Sequence, residues 1–228
     1  MLVQVHMDSS ITKRLPNISL GVLQYRDVTV SDSPKMLQGR INLFVENLRL
    51  EHELARLTEI PGIREWRACL KQAGTDPSRY RPSSEALLRR LLQGNPFFWV
   101  NSAVDVNNFF SVLHALPLGI YDAAQIEGDV SFRLGTADDR YEGLNGREVS
   151  MENKPLLADG LGAFGSPIVD SKRTCVTEQS RDLLHVIFFH DQFDSAKQDE
   201  ILGSVGRMFT EINGGELVHS GIVSAQEG

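Results

Sequence analysis

Apolar residues change their spacing part-way along this chain, and the change limits the folds open to it. Between about residues 35 and 116 they recur at helical intervals; from Gly119 to Phe189 they fall into short runs broken by turn residues. Ile41, Phe44, Val45 and Leu48 stand at i, i+3, i+4 and i+7. That spacing predicts a long helix from Ser33-Pro34 to about Glu59, stopped by Pro61. Further helices are expected over 62–73, closed by Gly74, and from Ser83 or Ser84 to Gly94. Two more are expected over 101–116, ended by Pro117, and over 195–212. Strands are expected at 2–7, 19–30, 129–134, 148–151, 156–158, 167–169, 183–189 and 216–223. Regular strand–helix–strand alternation is missing. The expected class is therefore α+β with a mixed or largely antiparallel sheet, helices mainly in the first half, and one domain over 1–228.

The net charge of −7 argues against a broad basic platform for nucleic acid, but the charge is segregated. Residues 61–94 hold seven Arg and Lys against three carboxylates, a net +4 that leaves −11 for the rest. Weak, salt-sensitive RNA binding through this segment is expected, carried by Arg79, Arg89 and Arg90. Cys69 and Cys175 make no disulfide framework, which points to a reducing, cytoplasmic setting. The N-terminus lacks the pattern of a signal peptide, and no apolar run is long enough to span a membrane. Neither a membrane nor DNA is expected as a partner.

Two polar-rich stretches each open an apolar-periodic helix: Tyr80-Arg81-Pro82-Ser83-Ser84-Glu85 and Asn101-Ser102-Ala103-Val104-Asp105. Helix starts gather unpaired N–H groups and favour anionic or carbonyl ligands, so Arg81, Ser83, Ser84, Glu85, Asn101 and Asp105 are candidate pocket residues. Ser83 and Ser84 read equally as N-caps, and Asp105 as a complement to its helix dipole. Gly160-Leu161-Gly162-Ala163-Phe164-Gly165 fits G-x-G-x-x-G, but Ser166-Pro167-Ile168-Val169-Asp170 after it reads as turn and strand, not as the helix a dinucleotide needs. A loop that lets a ligand approach its backbone, or a tight turn, fits better. His185 and His190 lie five apart in one apolar run and fall on opposite faces. With no CxxC or HExxH pattern, no metal and no cofactor is expected. Ser166 is not in a nucleophile elbow, and Glu148 reads either as an exposed strand-end carboxylate or as an anchor for an ammonium group.

From Arg81 to about Phe189 the wording resembles the B3/B4 domain of the phenylalanyl-tRNA synthetase beta subunit in free-standing form, with recognisable motifs over 80–190. It runs through Tyr80-Arg81-Pro82-Ser83-Ser84-Glu85-Ala86-Leu87-Leu88-Arg89-Arg90, Val104-Asp105-Val106-Asn107-Asn108 and Leu116-Pro117-Leu118-Gly119-Ile120-Tyr121-Asp122. It continues through Ile126-Glu127-Gly128-Asp129-Val130, Leu144-Asn145-Gly146-Arg147-Glu148 and Gly162-Ala163-Phe164-Gly165-Ser166. The resemblance implies a compact α+β body with a sandwich-like β core and an aminoacyl-tRNA deacylase acting in trans on mischarged tRNA. A non-catalytic module that binds tRNA, another RNA or a free amino acid is the alternative. It places the pocket carboxylate on Glu148, the glycine-rich wall on Gly162, Ala163, Phe164 and Gly165 next to Ser166, and the helix-start residues on Arg81, Ser83, Ser84 and Glu85. On this reading Ser83, Ser84 and Glu148 carry the chemistry, and Arg81 meets the terminal phosphate. The family's editing histidine has no counterpart at position 119 or its neighbours, and Asp138-Asp139-Arg140 replaces a glycine-containing turn.

Overall fold

The computed structural model describes residues 2–225. The chain opens with β1 (Val5–Met7), α1 (Ser9–Arg14) and β2 (Ser19–Arg26), then runs through α2 (Lys35–Glu51), a 3-10 turn (Leu54–Glu59), α3 (Ile63–Ala73), α4 (Ser83–Leu92) and α5 (Ser102–His114). The strand-rich part holds β3 (Leu118–Asp122), β4 (Val130–Leu134), β5 (Arg140–Glu142), β6 (Glu148–Ser150), β7 (Pro155–Asp159), β8 (Gly162–Gly165) and β9 (Leu183–Phe189). α6 (Ser195–Asn213) and β10 (Glu216–Ser224) follow.

One four-stranded sheet has the order β1-β4-β7-β8, with β1 parallel to β4 and the other pairs antiparallel. The other, β10-β2-β9-β3, is antiparallel throughout, and β5 and β6 form a separate hairpin. The expected α+β class with a mixed, sandwich-like β core is what the chain forms. The sheets meet through aromatic pairs: Phe132 of β4 lies 5.6 Å from Phe188 of β9, and Phe164 of β8 lies 5.0 Å from Tyr121 of β3. Strand alternation sends neighbouring β9 side chains opposite ways. Phe188 meets Trp66 of α3, whose indole N–H donates to the Phe188 carbonyl at 3.0 Å, while His185 faces Phe209 of α6 and Asn107 of α5.

Several boundaries differ from the sequence expectation, each for a local reason. α2 ends at Glu51 rather than near Glu59, because its buried stripe of Leu37, Ile41, Val45 and Leu48 has no apolar successor at Glu51 or His52. α1 was unforeseen: Asp8 caps it at the Ser10 N–H, but Ile11 is its one buried residue, too little for a periodic signal. β2 stops at Arg26, where Asp27 takes a positive φ of 55°. Residues 162–165 form a strand, not a loop, and 167–169 form a turn, not a strand. The first registers with β7; the second is folded back by the Ser166 hydroxyl, which accepts from the Ile168 and Val169 N–H groups.

Candidate functional site

Ser83 and Ser84 do not cap α4. A serine caps from the position before the helix, and Pro82 holds that position without a side-chain bond. Both serines lie inside the first turn, where their buried hydroxyls have no hydrogen-bond partner. The Ser83 N–H instead donates to the Pro167 carbonyl at 2.8 Å, which ties the start of α4 to the 165–170 turn. Beside them Glu85 is fully buried under three arginines. Arg67 Nη1 of α3 lies 2.9 Å from Glu85 Oε2, Arg89 Nη2 lies 3.2 Å from Oε1, and Arg81 Nε lies 3.7 Å from Oε1. Glu85 therefore faces arginines rather than a ligand, and Arg89 is not a free surface cation. Arg79 and Arg90 rest over the rings of Tyr80 and Phe98, at 5.2 and 5.5 Å.

On the other side of this junction lies a polar cluster that the candidate residues only partly covered. Tyr121 donates to Asp170 Oδ1 at 2.8 Å, and the Ser166 N–H reaches the same oxygen at 3.2 Å. Burial around the carboxylate pushes the Asp170 pKa up to about 7 against the two bonds that favour its charged form. The Tyr121 phenol fits between Gly119 and Gly165, where a Cβ at either position would overlap its hydroxyl. Ser166 Oγ donates to the Val169 carbonyl at 2.7 Å, and Tyr141 donates to that carbonyl at 2.6 Å. Ser166 thus builds the turn that presents Asp170.

The hairpin register turns Glu148 away from this cluster. Tyr141 pairs with Val149 and Glu142 with Glu148, so each pair shares a face. Tyr141 points inward to the Val169 carbonyl and a small core of Met151, Leu156 and Ala158. Glu142 and Glu148 therefore occupy the outer face, where Glu142 meets Lys172 at 3.1 Å and Glu148 is exposed. Of the expected wall, Ala163 joins the small core, Phe164 is buried with Arg173 5.6 Å from its ring, and the Gly162 carbonyl faces Arg173 Nη2 at 3.4 Å.

The second polar helix start is spoken for. Asn101 is the N-cap of α5, accepting from the Val104 N–H at 2.9 Å and donating to the Val176 carbonyl at 3.3 Å. Asp105 accepts from Ser33 Oγ at 2.6 Å and from the Val100 N–H at 2.9 Å. Burial raises its pKa, with those two bonds opposing. Of the candidate pocket residues, Ser83 is tied to the turn after Gly165 through Pro167, whereas Asn101 and Asp105 face Val176 and Ser33.

A family model described as the B3/4 domain matches residues 65–204. The chain belongs to the B3/4 domain family. The B3/4 protein is 26% identical to the uncharacterized protein YhzB of Bacillus subtilis, over 93% of this chain and 96% of that one. It is 35% identical over 64 residues to the phenylalanine–tRNA ligase beta subunit of Paramagnetospirillum magneticum, and 29% identical over 108 residues to that of Bartonella quintana. These stretches span 28% and 46% of the chain but only 8% and 13% of the two ligase subunits. A solved N-terminal fragment of the phenylalanyl-tRNA synthetase beta subunit from Pyrococcus horikoshii aligns with 98% of the chain and 51% of its own length, at 14% identity and a TM-score of 0.47. The B3/4 protein therefore spans about half of that fragment. The resemblance read from the motifs and the family found agree.

Two further features of the B3/4 protein lie away from the junction. A cleft of about 410 Å³ against α3 is lined by Arg64, Glu65, Cys69 and His190, and an open groove of about 820 Å³ runs past Asp27, Asp122 and Asp182. Neither is lined by Ser83, Ser84, Glu148 or residues 162–166. Burial lowers the pKa of His190 and takes that of His185 down to about 3, so both are neutral at pH 7. Among the described residues no helix is long and apolar enough to cross a membrane, and no metal-binding group of His, Cys, Asp and Glu is formed. Sequence reasoning missed Tyr121, Tyr141 and Asp170 as site residues. The available signal was the Gly119–Tyr121 spacing: two residues on one face of a strand, the small one making room for the large.

Proposed function

We propose that this B3/4 protein hydrolyses the ester of aminoacyl-tRNA in trans, at the junction of the α4 start and the 165–170 turn. The observation that carries the reading is the Tyr121–Asp170 pair, set behind a helix start that leaves Ser83 and Ser84 hydroxyls unpaired. An aminoacyl ester is already activated, so a positioned water and a proton acceptor suffice. With a pKa near 7, Asp170 exists in both forms at neutral pH, the range in which a general base works best. It takes a proton from water as the water oxygen bonds to the ester carbon, and returns it to the ribose oxygen as the ester bond breaks. Ser83 and Ser84 supply donors for the carbonyl oxygen. Glu148, on the outer face of its hairpin, has no part in this assignment.

The alternative is a non-catalytic binder of tRNA or free amino acid. One observation favours it: Gly119 stands at the position without a histidine, and the Tyr121 phenol occupies the space beside it.

The test is amino-acid release from a panel of correctly charged and mischarged tRNAs. A deacylase releases at least one of them, and Asp170→Asn slows that release by about 10²- to 10⁴-fold while the protein stays folded. Binding of charged tRNA or amino acid with no release moves the assignment to the binder. Neither release nor binding sinks both.

A further inference from the structure

The arginines around Glu85 outnumber the charge they neutralise. Arg67, Arg81 and Arg89 all lie within 4.0 Å of this one buried carboxylate, and among the described residues none of the three has another carboxylate at that distance. Two positive charges are left without a counter-ion; Arg67 and Arg89 are 21% and 33% exposed, while Arg81, at 46%, is open to solvent. One arginine would satisfy Glu85. Holding a second in a partly buried position is unfavourable unless something anionic balances it.

A donor without an acceptor belongs to the same cluster. Arg89 Nε is buried with no hydrogen-bond partner. Buried donors are normally paired, so this one calls for an acceptor. A surplus of two positive charges and an unpaired guanidinium donor fits an oxyanion with several acceptor oxygens. A phosphate fits: it accepts only, and guanidinium forks match its geometry.

We propose that Arg67, Arg81 and Arg89, arrayed by Glu85, bind the 5′-phosphate of the terminal nucleotide of the tRNA substrate. The inference rests on the proposed deacylase reading. The scissile ester hangs on the terminal ribose, and the nearest phosphate lies one ribose away. The two halves of the site are tied together likewise, since the Ser83 N–H donates to Pro167 in the turn that leads to Asp170. Glu85 touches no substrate here; it is a positioning residue that holds three guanidiniums together.

The experiment compares two non-hydrolysable ligands, adenosine carrying an amide-linked 3′-amino acid with and without its 5′-phosphate. Binding is measured calorimetrically to wild type, Arg81→Ala and Arg81→Lys. Arg81 is the most exposed of the three and makes the longest contact, so its loss should leave the fold intact. The phosphate should tighten wild-type binding about tenfold or more, as one charge-assisted bond does. That gain should vanish in Arg81→Ala and return in part in Arg81→Lys, which keeps the charge but not the fork. If both ligands bind wild type equally, the phosphate site is wrong and the deacylase reading stands. If neither binds, thermal protection by inorganic phosphate decides: protection lost in Arg81→Ala keeps the anion site and overturns its tRNA source, and no protection overturns the site.

Discussion

The starts of α4 and α5 look alike in sequence and differ in structure. Each is a cluster of Ser, Asn, Asp or Glu ahead of an apolar stripe. At α5 the polar groups answer one another: Asn101 caps Val104, Asp105 takes Ser33 and Val100, and Ser102 bonds Asn213 while accepting from the Ser31 N–H. At α4 the serine hydroxyls are unpaired and one carboxylate faces three arginines. Polarity at a helix start therefore does not mark a binding site. What separates them is whether the donors and charges close among themselves. α5 pins the chain to β2's outgoing loop and α6; α4 leaves donors and positive charge over.

Perturbing Glu85 should have the largest effect. Glu85→Gln leaves three guanidiniums around a neutral amide and should cost about 3–5 kcal/mol in a denaturant titration, because breaking a buried ion pair from one side strands its charges. Added phosphate should recover part of that loss if the α4 start is an anion site. An unchanged midpoint would remove the distinction between the helices. Asp105→Ala at α5 comes next, at about 1–3 kcal/mol, since the Ser33 hydroxyl and Val100 N–H lose their acceptor. Its tRNA affinity, measured on folded protein, should stay at the wild-type level; a selective loss of affinity would make α5 part of the site.

Asp170→Asn sharpens the comparison through pH. Because its pKa is raised from 3.8 to about 7, native Asp170 holds a proton that the unfolded chain gives up between those values. Wild-type stability from this group is thus full below about pH 4 and falls as pH rises to about 7. The asparagine variant should lack that decline, and parallel urea midpoints for the two proteins from pH 4 to 7 would show that Asp170 does not titrate as assigned. The smallest effects on stability belong to Ser84→Ala and Glu148→Ala. Removing an unpaired hydroxyl should change stability by less than about 0.5 kcal/mol yet lower the rate of deacylation. Glu148→Ala should leave both the rate and the thermal midpoint where they are, and a collapse in rate would put that outer hairpin face back into the site.

Sequence by itself determined the class of fold and the family. The 3.6-residue stripes of α3, α4, α5 and α6 and the apolar run of β9 are local patterns, and local patterns survive without knowledge of neighbours. The motif order from Arg81 to Phe189 likewise needs no coordinates. Only the tertiary structure decided which polar residues are satisfied and which are not. Arg67 and Glu85 meet across 18 positions, Tyr121 and Asp170 across 49, and Ser33 and Asp105 across 72. The choice between the two readings of Glu148 needed the structure for the same reason: its direction depends on pairing with Glu142, which sets the face it shares. Hydrogen bonding and ion pairing saturate at short range in space, so their bookkeeping closes only once distant segments have been brought together.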